Sequence, residues 1–169
     1  RHLNQSYISF ETLDLFVESK LKELEETRNI DSFSLEHWSS QGRIGSPRVK
    51  FDLNTNNGSL KIDNENLILS SYCGFSSIKA DVALFKGKWM YEVMLGTKGV
   101  MQVGWATHKC RFSQEKGVGD TRDSYAYDGN RVRKWNLTTY KYGDTWHCGD
   151  VIGCAIDLDN GSVDFYRNG

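Results

Sequence analysis

A chain of 169 residues has room for one substantial core and a short appendage, since single domains run about 100–200 residues. Its 21 Lys and Arg against 22 Asp and Glu leave a formal charge of -1, without the basic excess on which backbone-driven nucleic-acid binding depends. No apolar run approaches the ~18–20 residues that span a bilayer, and no signal-peptide core follows Arg1-His2-Leu3-Asn4, so neither nucleic acid nor a membrane is an expected partner.

The first 41 residues read differently from the rest. Over residues 10–28, Leu13, Phe16, Val17, Leu21 and Leu24 recur at threes and fours, the stripe of an amphipathic helix. Glu18 and Lys22 pair on its polar side, and Asn29 is a C-terminal stop. Eight acidic residues against four basic give this segment a net charge of about -4. Residues 41–47 (Gln-Gly-Arg-Ile-Gly-Ser-Pro) read as a linker.

Beyond it the period changes to two. Val49, Phe51 and Leu53 alternate, Asn56-Asn57-Gly58 turns, and Leu60 and Ile62 alternate again, which predicts a hairpin with an Asn-Gly turn. Further strands are expected at 67–70, 75–80, 88–95, 100–107, 124–127, 132–136, 151–158 and 162–167. The near-continuous apolar run 151–156 suits a central strand buried by a facing sheet. The expected fold is therefore all-β, an antiparallel sandwich rather than a closed barrel.

Several apparent motifs dissolve on inspection. Asp52-x-Asn54-x-Asn56 and Asp157-x-Asp159 space oxygen ligands as calcium loops do, yet the sixth and twelfth positions are Asn57 and Asp63, or Ser162 and Asn168, instead of Gly and Glu. Both read better as turns at Asn57-Gly58 and Asn160-Gly161. Gly117-Val118-Gly119 is followed by Arg122 where a dinucleotide loop needs its third glycine. His147 and Cys148 are neighbours that an extended chain points to opposite faces, and Asp157 and Asp159 lack a facing carboxylate. No catalytic residue emerges. Cys73, Cys110, Cys148 and Cys154 form no C-x-x-C pair, which argues against a metal site and for free thiols in a reducing compartment, with Cys154 buried. The N-x-[ST] triplets at Asn4, Asn57, Asn136 and Asn160 matter only in a secreted protein.

The informative stretch is 105–141, where eight basic residues against four acidic ones give a net +4 and are interleaved with Trp105, Phe112, Tyr125, Tyr127, Trp135 and Tyr140. Arginine and aromatic residues on loops of a rigid β scaffold are the chemistry of protein hot spots. The expected partner face combines Lys109, Arg111, Phe112 and Asp120 with Tyr127, Asp128, Arg131 and Arg133. Arg131 and Arg133, flanking Val132, would share one face and anchor an acidic or polar partner, and truncating them should leave the fold stable within ~0.5 kcal/mol. Tyr127 or Phe112 would supply apolar contact.

The blocks Lys88-Trp89-Met90-Tyr91-Glu92-Val93, Val103-Gly104-Trp105-Ala106, Ser124-Tyr125-Ala126-Tyr127-Asp128-Gly129, Gly149-Asp150-Val151-Ile152-Gly153-Cys154 with Asp157-Leu158, and Val163-x-Phe165-x-x-Asn168-Gly169 follow in the order and spacing of SPRY domains. The resemblance divides the chain into an acidic helical segment, 1–41, and a SPRY domain, 42–169. Within the family, Gly117-Val118-Gly119-Asp120 and Asn130-Arg131-Val132-Arg133-Lys134-Trp135-Asn136 most resemble the SPRY domain of a large RING-finger ubiquitin ligase.

What the resemblance implies is a bent, concanavalin-like sandwich (B30.2-like) whose loops bind a protein or peptide, with further strands closing it beyond Gly169. The domain itself would be non-catalytic and would recognise a substrate or subunit for ubiquitin-dependent degradation in the cytoplasm. A RING domain elsewhere in the longer protein would hold zinc and recruit the ubiquitin-conjugating enzyme, with no cofactor in this segment. The competing readings are a lectin-like carbohydrate-binding sandwich of a secreted protein, or the SPRY module of a scaffold or channel.

Overall fold

The computed structural model describes residues 41–97 and 99–169, with the backbone alone at 73 and 74. The expected helix over 10–28 lies outside the described residues. Among those described, every regular element is a strand and every pairing is antiparallel. The described residues form an all-β sandwich.

In chain order the strands are β1 (Arg43–Ile44), β2 (Phe51–Asp63), β3 (Ile68–Ala80), β4 (Ala83–Leu84), β5 (Lys88–Met94), β6 (Val103–Ala106), β7 (Ser124–Asp128), β8 (Arg133–Asn136), β9 (Thr138–Lys141), β10 (Val151–Asp157) and β11 (Ser162–Arg167). One layer is β11-β10-β5, with the apolar run of β10 at its centre, and the facing layer is β6-β7-β8-β9. On β5 the side chains alternate between exposed and half-buried, so Tyr91 and Val93 point inward while Met90 and Met94 face outward. The register sets Cys154 opposite both Tyr91 and Phe165, on the same inner face.

The layers meet through aromatic rings. Tyr91 on β5 stands edge-on to Trp105 on β6, with centroids 5.0 Å apart, and Tyr127 on β7 lies 5.6 Å from Phe165 on β11. Tyr127 also meets Trp146 and Tyr142 edge-on at 5.4 and 5.7 Å. Such pairs add ~0.5–1.5 kcal/mol each beyond the area they bury. Leu95, Ile152 and Cys154 complete the buried cluster.

Three expectations are corrected. Asn56-Asn57-Gly58 makes no hairpin turn: β2 runs straight through it, and the reversal into β3 comes at residues 64–67. There the Asp63 carboxylate accepts the backbone N–H groups of Glu65 and Asn66, each at 3.0 Å, so an Asp turn outcompetes the Asn-Gly pair. The β2–β3 register slips on both sides of Asn57 and Ser59, and Gly58, at φ 94°, has the opposite strand so close that a Cβ would lie 2.7 Å from the Phe75 carbonyl oxygen. Its freedom serves a bulge. For the same reason the two strands expected at 67–70 and 75–80 are one.

Residues 41–47 are no loose linker either. Arg43 and Ile44 are buried and pair with β4, and Phe85 donates its backbone N–H to the Gly42 carbonyl at 2.9 Å. The glycines there permit close backbone packing, which composition cannot separate from flexibility. Finally, β9 was not expected. It follows a one-residue reversal at Leu137, which takes φ 59° and bonds the Gly119 carbonyl at 2.9 Å.

Candidate functional site

The basic stretch builds two structures, one at each end of β7. Before β7, residues 107–123 form a loop closed by Thr107 N–H on the Asp123 carbonyl at 2.8 Å and by Ser113 N–H on the Lys116 carbonyl at 2.9 Å. Asp120 is spent inside it, because its Oδ2 accepts the Gly117 N–H at 2.9 Å. Gly119 donates to Ser124 Oγ at 2.8 Å and sits flat on the sheet, where a Cβ would fall 2.6 Å from that of Trp135. The loop is thereby fixed on a strand scaffold, and its tip carries exposed Lys109 and Arg111 beside half-buried Phe112. Lys79 reaches under it, donating to the carbonyls of Cys110 at 2.7 Å and Thr107 at 3.1 Å, with its Nζ 5.6 Å from the Phe112 ring centre. Burial holds its ammonium pKa below the usual lysine value.

After β7, residues 129–132 turn into β8. Asp128 is fully buried at 0% exposure, and its Oδ1 accepts the N–H groups of Asn130 at 2.8 Å and Arg131 at 3.0 Å. Its Oδ2 takes the Arg131 Nε, and the Arg131 guanidinium stacks over the Trp135 ring at 4.4 Å. Val132 adopts φ 56°, so the simple alternation expected to put Arg131 and Arg133 side by side does not hold. Arg131 is clamped, whereas Arg133 stands exposed at the start of β8.

Of the residues expected on one face, the structure leaves Lys109, Arg111 and Arg133 in solvent and Phe112 partly so. Tyr127, at 3% exposure, belongs to the core with its hydroxyl on the Asp144 carbonyl oxygen, so the apolar contact expected of it is corrected. Asp120 and Asp128 organise their own loops. The five-residue β7 separates the two basic groups by about 13 Å of strand, which makes them two clusters.

Sequence reasoning missed the residues across from Arg133. Lys141 on β9 lies directly opposite it, and Leu137 and Tyr140 are exposed at 52% and 61%. The run Leu-Thr-Thr-Tyr-Lys carries a strand signal in Thr-Thr-Tyr that could have located β9.

Chemically the site offers fixed positive charge, hydrogen-bond donors and modest apolar surface. The inner thiol of Cys154 is pushed up to about 12 by burial and cannot serve as a nucleophile near neutral pH. The Asp150 carboxylate, three residues after His147, is occupied by the His147 N–H at 2.7 Å, Arg167 Nε at 2.9 Å and Asn168 Nδ2 at 2.9 Å. Among the described residues no group of three His, Cys, Asp or Glu side chains is arranged to hold a metal, and no helix is long and apolar enough to cross a membrane.

The SPRY domain family matches residues 88–169. The chain is 50% identical over 126 residues to the E3 ubiquitin-protein ligase RKP of Arabidopsis thaliana, a match that takes in 75% of this chain and 10% of that protein. It is also 33% identical over 84 residues to the ATP-dependent RNA helicase DDX1 of Xenopus laevis, covering 50% of this chain and 11% of that protein. The chain thus spans about a tenth of the length of these relatives.

Proposed function

From the premise that the chain belongs to the SPRY family through residues 88–169, we propose that it is the non-catalytic recognition module of a RING-type ubiquitin ligase. The observation that carries this reading is the 50% identity to a ubiquitin ligase over three-quarters of the chain. The geometry agrees with it in kind: the exposed chemistry is basic and hydrogen-bonding, suited to holding a protein segment. The module captures a substrate or subunit, a RING elsewhere in the longer protein holds zinc and recruits the ubiquitin-conjugating enzyme, and the whole works in the cytoplasm. Of the contact residues, Lys109, Arg111, Phe112 and Arg133 touch the partner, while Asp120, Asp128 and Arg131 hold the loops that present them.

The test compares the full-length ligase with versions carrying Lys109→Glu with Arg111→Glu, or Arg133→Glu, in capture from cell extract followed by ubiquitylation of what is captured. A protein whose capture and ubiquitylation both fall in at least one variant supports the reading. Unchanged capture and unchanged ubiquitylation of every bound protein in both variants would reject it. The isolated chain, given activating and conjugating enzymes, should transfer no ubiquitin.

A further inference from the structure

The strand at the outer limit of the β6-β7-β8-β9 sheet is β9, and among the described residues no strand pairs with its far edge. Nor does any of Thr138, Thr139, Tyr140 or Lys141 make a backbone bond to another described residue outside its ladder with β8. An edge in that state presents unused N–H and C=O groups to whatever extended chain can approach.

The side chains around this edge select what approaches. Arg133 and Lys141 are directly opposed across β8 and β9, both are exposed, and neither has an acidic partner among the described residues. Like charges facing each other on one sheet face repel, so the pair carries a standing demand for an anion. Arg131, a third cation nearby, does not share in this demand, because Asp128 neutralises it and Trp135 fixes it in place. Exposed apolar surface flanks them, with Tyr140 next to Lys141 on β9 and Leu137 just before the other end of the strand. An edge unpaired among the described residues, two exposed cations at one end with Tyr140 beside them, and Leu137 at the other end describe a cradle for one extended segment.

We propose that the β9 edge binds an acidic, extended protein segment by strand addition, with partner carboxylates answering Arg133 and Lys141 and an apolar partner residue against Leu137 or Tyr140. Four residues of edge span about 14 Å, so the segment needs only four or five residues in contact. This inference rests on the recognition reading above and names the partner chemistry and the binding mode.

The experiment titrates the full chain, isotope-labelled, with an alternating Thr-Glu peptide about ten residues long, followed by amide NMR shifts and exchange protection. Two control peptides are an alternating Thr-Lys peptide and a Thr-Glu peptide N-methylated at alternate residues. Binding should shift and protect the amides of Thr138–Lys141, weaken as salt rises, and be lost with both controls. Arg133→Glu with Lys141→Glu should weaken the acidic peptide about tenfold or more and let the basic one bind, a gain that a misfolded variant could not show.

Three outcomes overturn the proposal: no shift at β9, tight binding of the N-methylated peptide, or protection of β9 that grows with protein concentration alone and assigns the edge to a second copy. Shifts confined to the loop carrying Lys109 and Arg111 would overturn the edge while leaving the recognition reading standing. The capture experiment decides that reading independently.

Discussion

The guanidinium of Arg131 lies 4.4 Å from the centre of the Trp135 ring, held there because its Nε closes on the buried carboxylate of Asp128. The Arg131 side chain, 38% exposed, is therefore a brace across the β7–β8 turn before it is anything else. Arg131→Ala would strip that carboxylate of its charged partner while leaving the backbone N–H groups of residues 130 and 131 on it. Stripping a fully buried charge of its partner costs ~3–5 kcal/mol, and solvent access to the arginine reduces this to about 2 kcal/mol. Arg133→Ala should stay within ~0.5 kcal/mol. Urea unfolding of the two single variants checks this contrast, which replaces the sequence expectation that both arginines could be truncated freely. Equal, small effects would mean that the clamp is idle.

The loop that presents Lys109 and Arg111 depends on one glycine. Gly119 takes φ 93°, and a Cβ there would lie 2.6 Å from Trp135 Cβ and 2.8 Å from Ala126 Cβ. Gly119→Ala combines a strained backbone with an overlap that rigid strand atoms cannot relieve, so about 3 kcal/mol should be lost. Gly149 also has positive φ, 88°, but open space around it, and Gly149→Ala should cost about 1 kcal/mol. Thermal melts of the pair separate backbone strain from collision, and indistinguishable melting points would show that the loop does not bear on the sheet.

How much of this was legible in the sequence depended on whether a signal was local. The run Val151-Ile152-Gly153-Cys154-Ala155-Ile156 announces a central strand because burial on both faces needs only the run itself, and Cys154 is buried as expected. Asn57-Gly58 misled because a positive-φ glycine serves a turn or a bulge equally well, and the Asp63 cap that decides between them lies several residues away. The candidate site suffered in the same way. An alternation of Arg131, Val132 and Arg133 implies a shared face only if Val132 is extended, and the tight turn set by Asp128 puts it in the left-handed region instead. The opposition of Arg133 and Lys141 is a pairing across strands, and no spacing along the chain encodes it.

The thiols should differ sharply in reactivity. Cys148 is exposed, whereas Cys110 and Cys154 are buried, and burial pushes the Cys154 thiol up to about 12. Since the thiolate is the reacting species, only about one Cys154 in ten thousand would be ionised at a pH near 8 even if reagent could reach it. Iodoacetamide added to folded protein should mark Cys148 first and leave Cys154 unmodified until denaturant is added, as read by peptide mass spectrometry. Early labelling of Cys154 would show that the inner face between β5 and β11 opens readily.

Acid should loosen the β10–β11 hairpin before the rest of that sheet. The Asp157 carboxylate accepts Asn160 Nδ2 at 2.8 Å and the Asn160 backbone N–H at 3.0 Å, and Lys88 lies 3.2 Å away. In that order these donors hold its pKa down from 3.8 to about 2. Because the folded value is the lower one, the carboxylate's contribution to stability is fully present above about pH 4 and disappears as pH falls through about 2. Asp150 is shifted the same way, first by the Asn168 side chain and then by the His147 N–H. Urea midpoints measured from pH 5 downward should therefore decline most steeply between about 4 and 2. In Asp157→Asn, whose amide oxygen can still accept in the turn but does not titrate, that decline should be shallower. Identical slopes in the two proteins would show that the turn carboxylate is not linked to folding and that acid acts elsewhere in the sandwich.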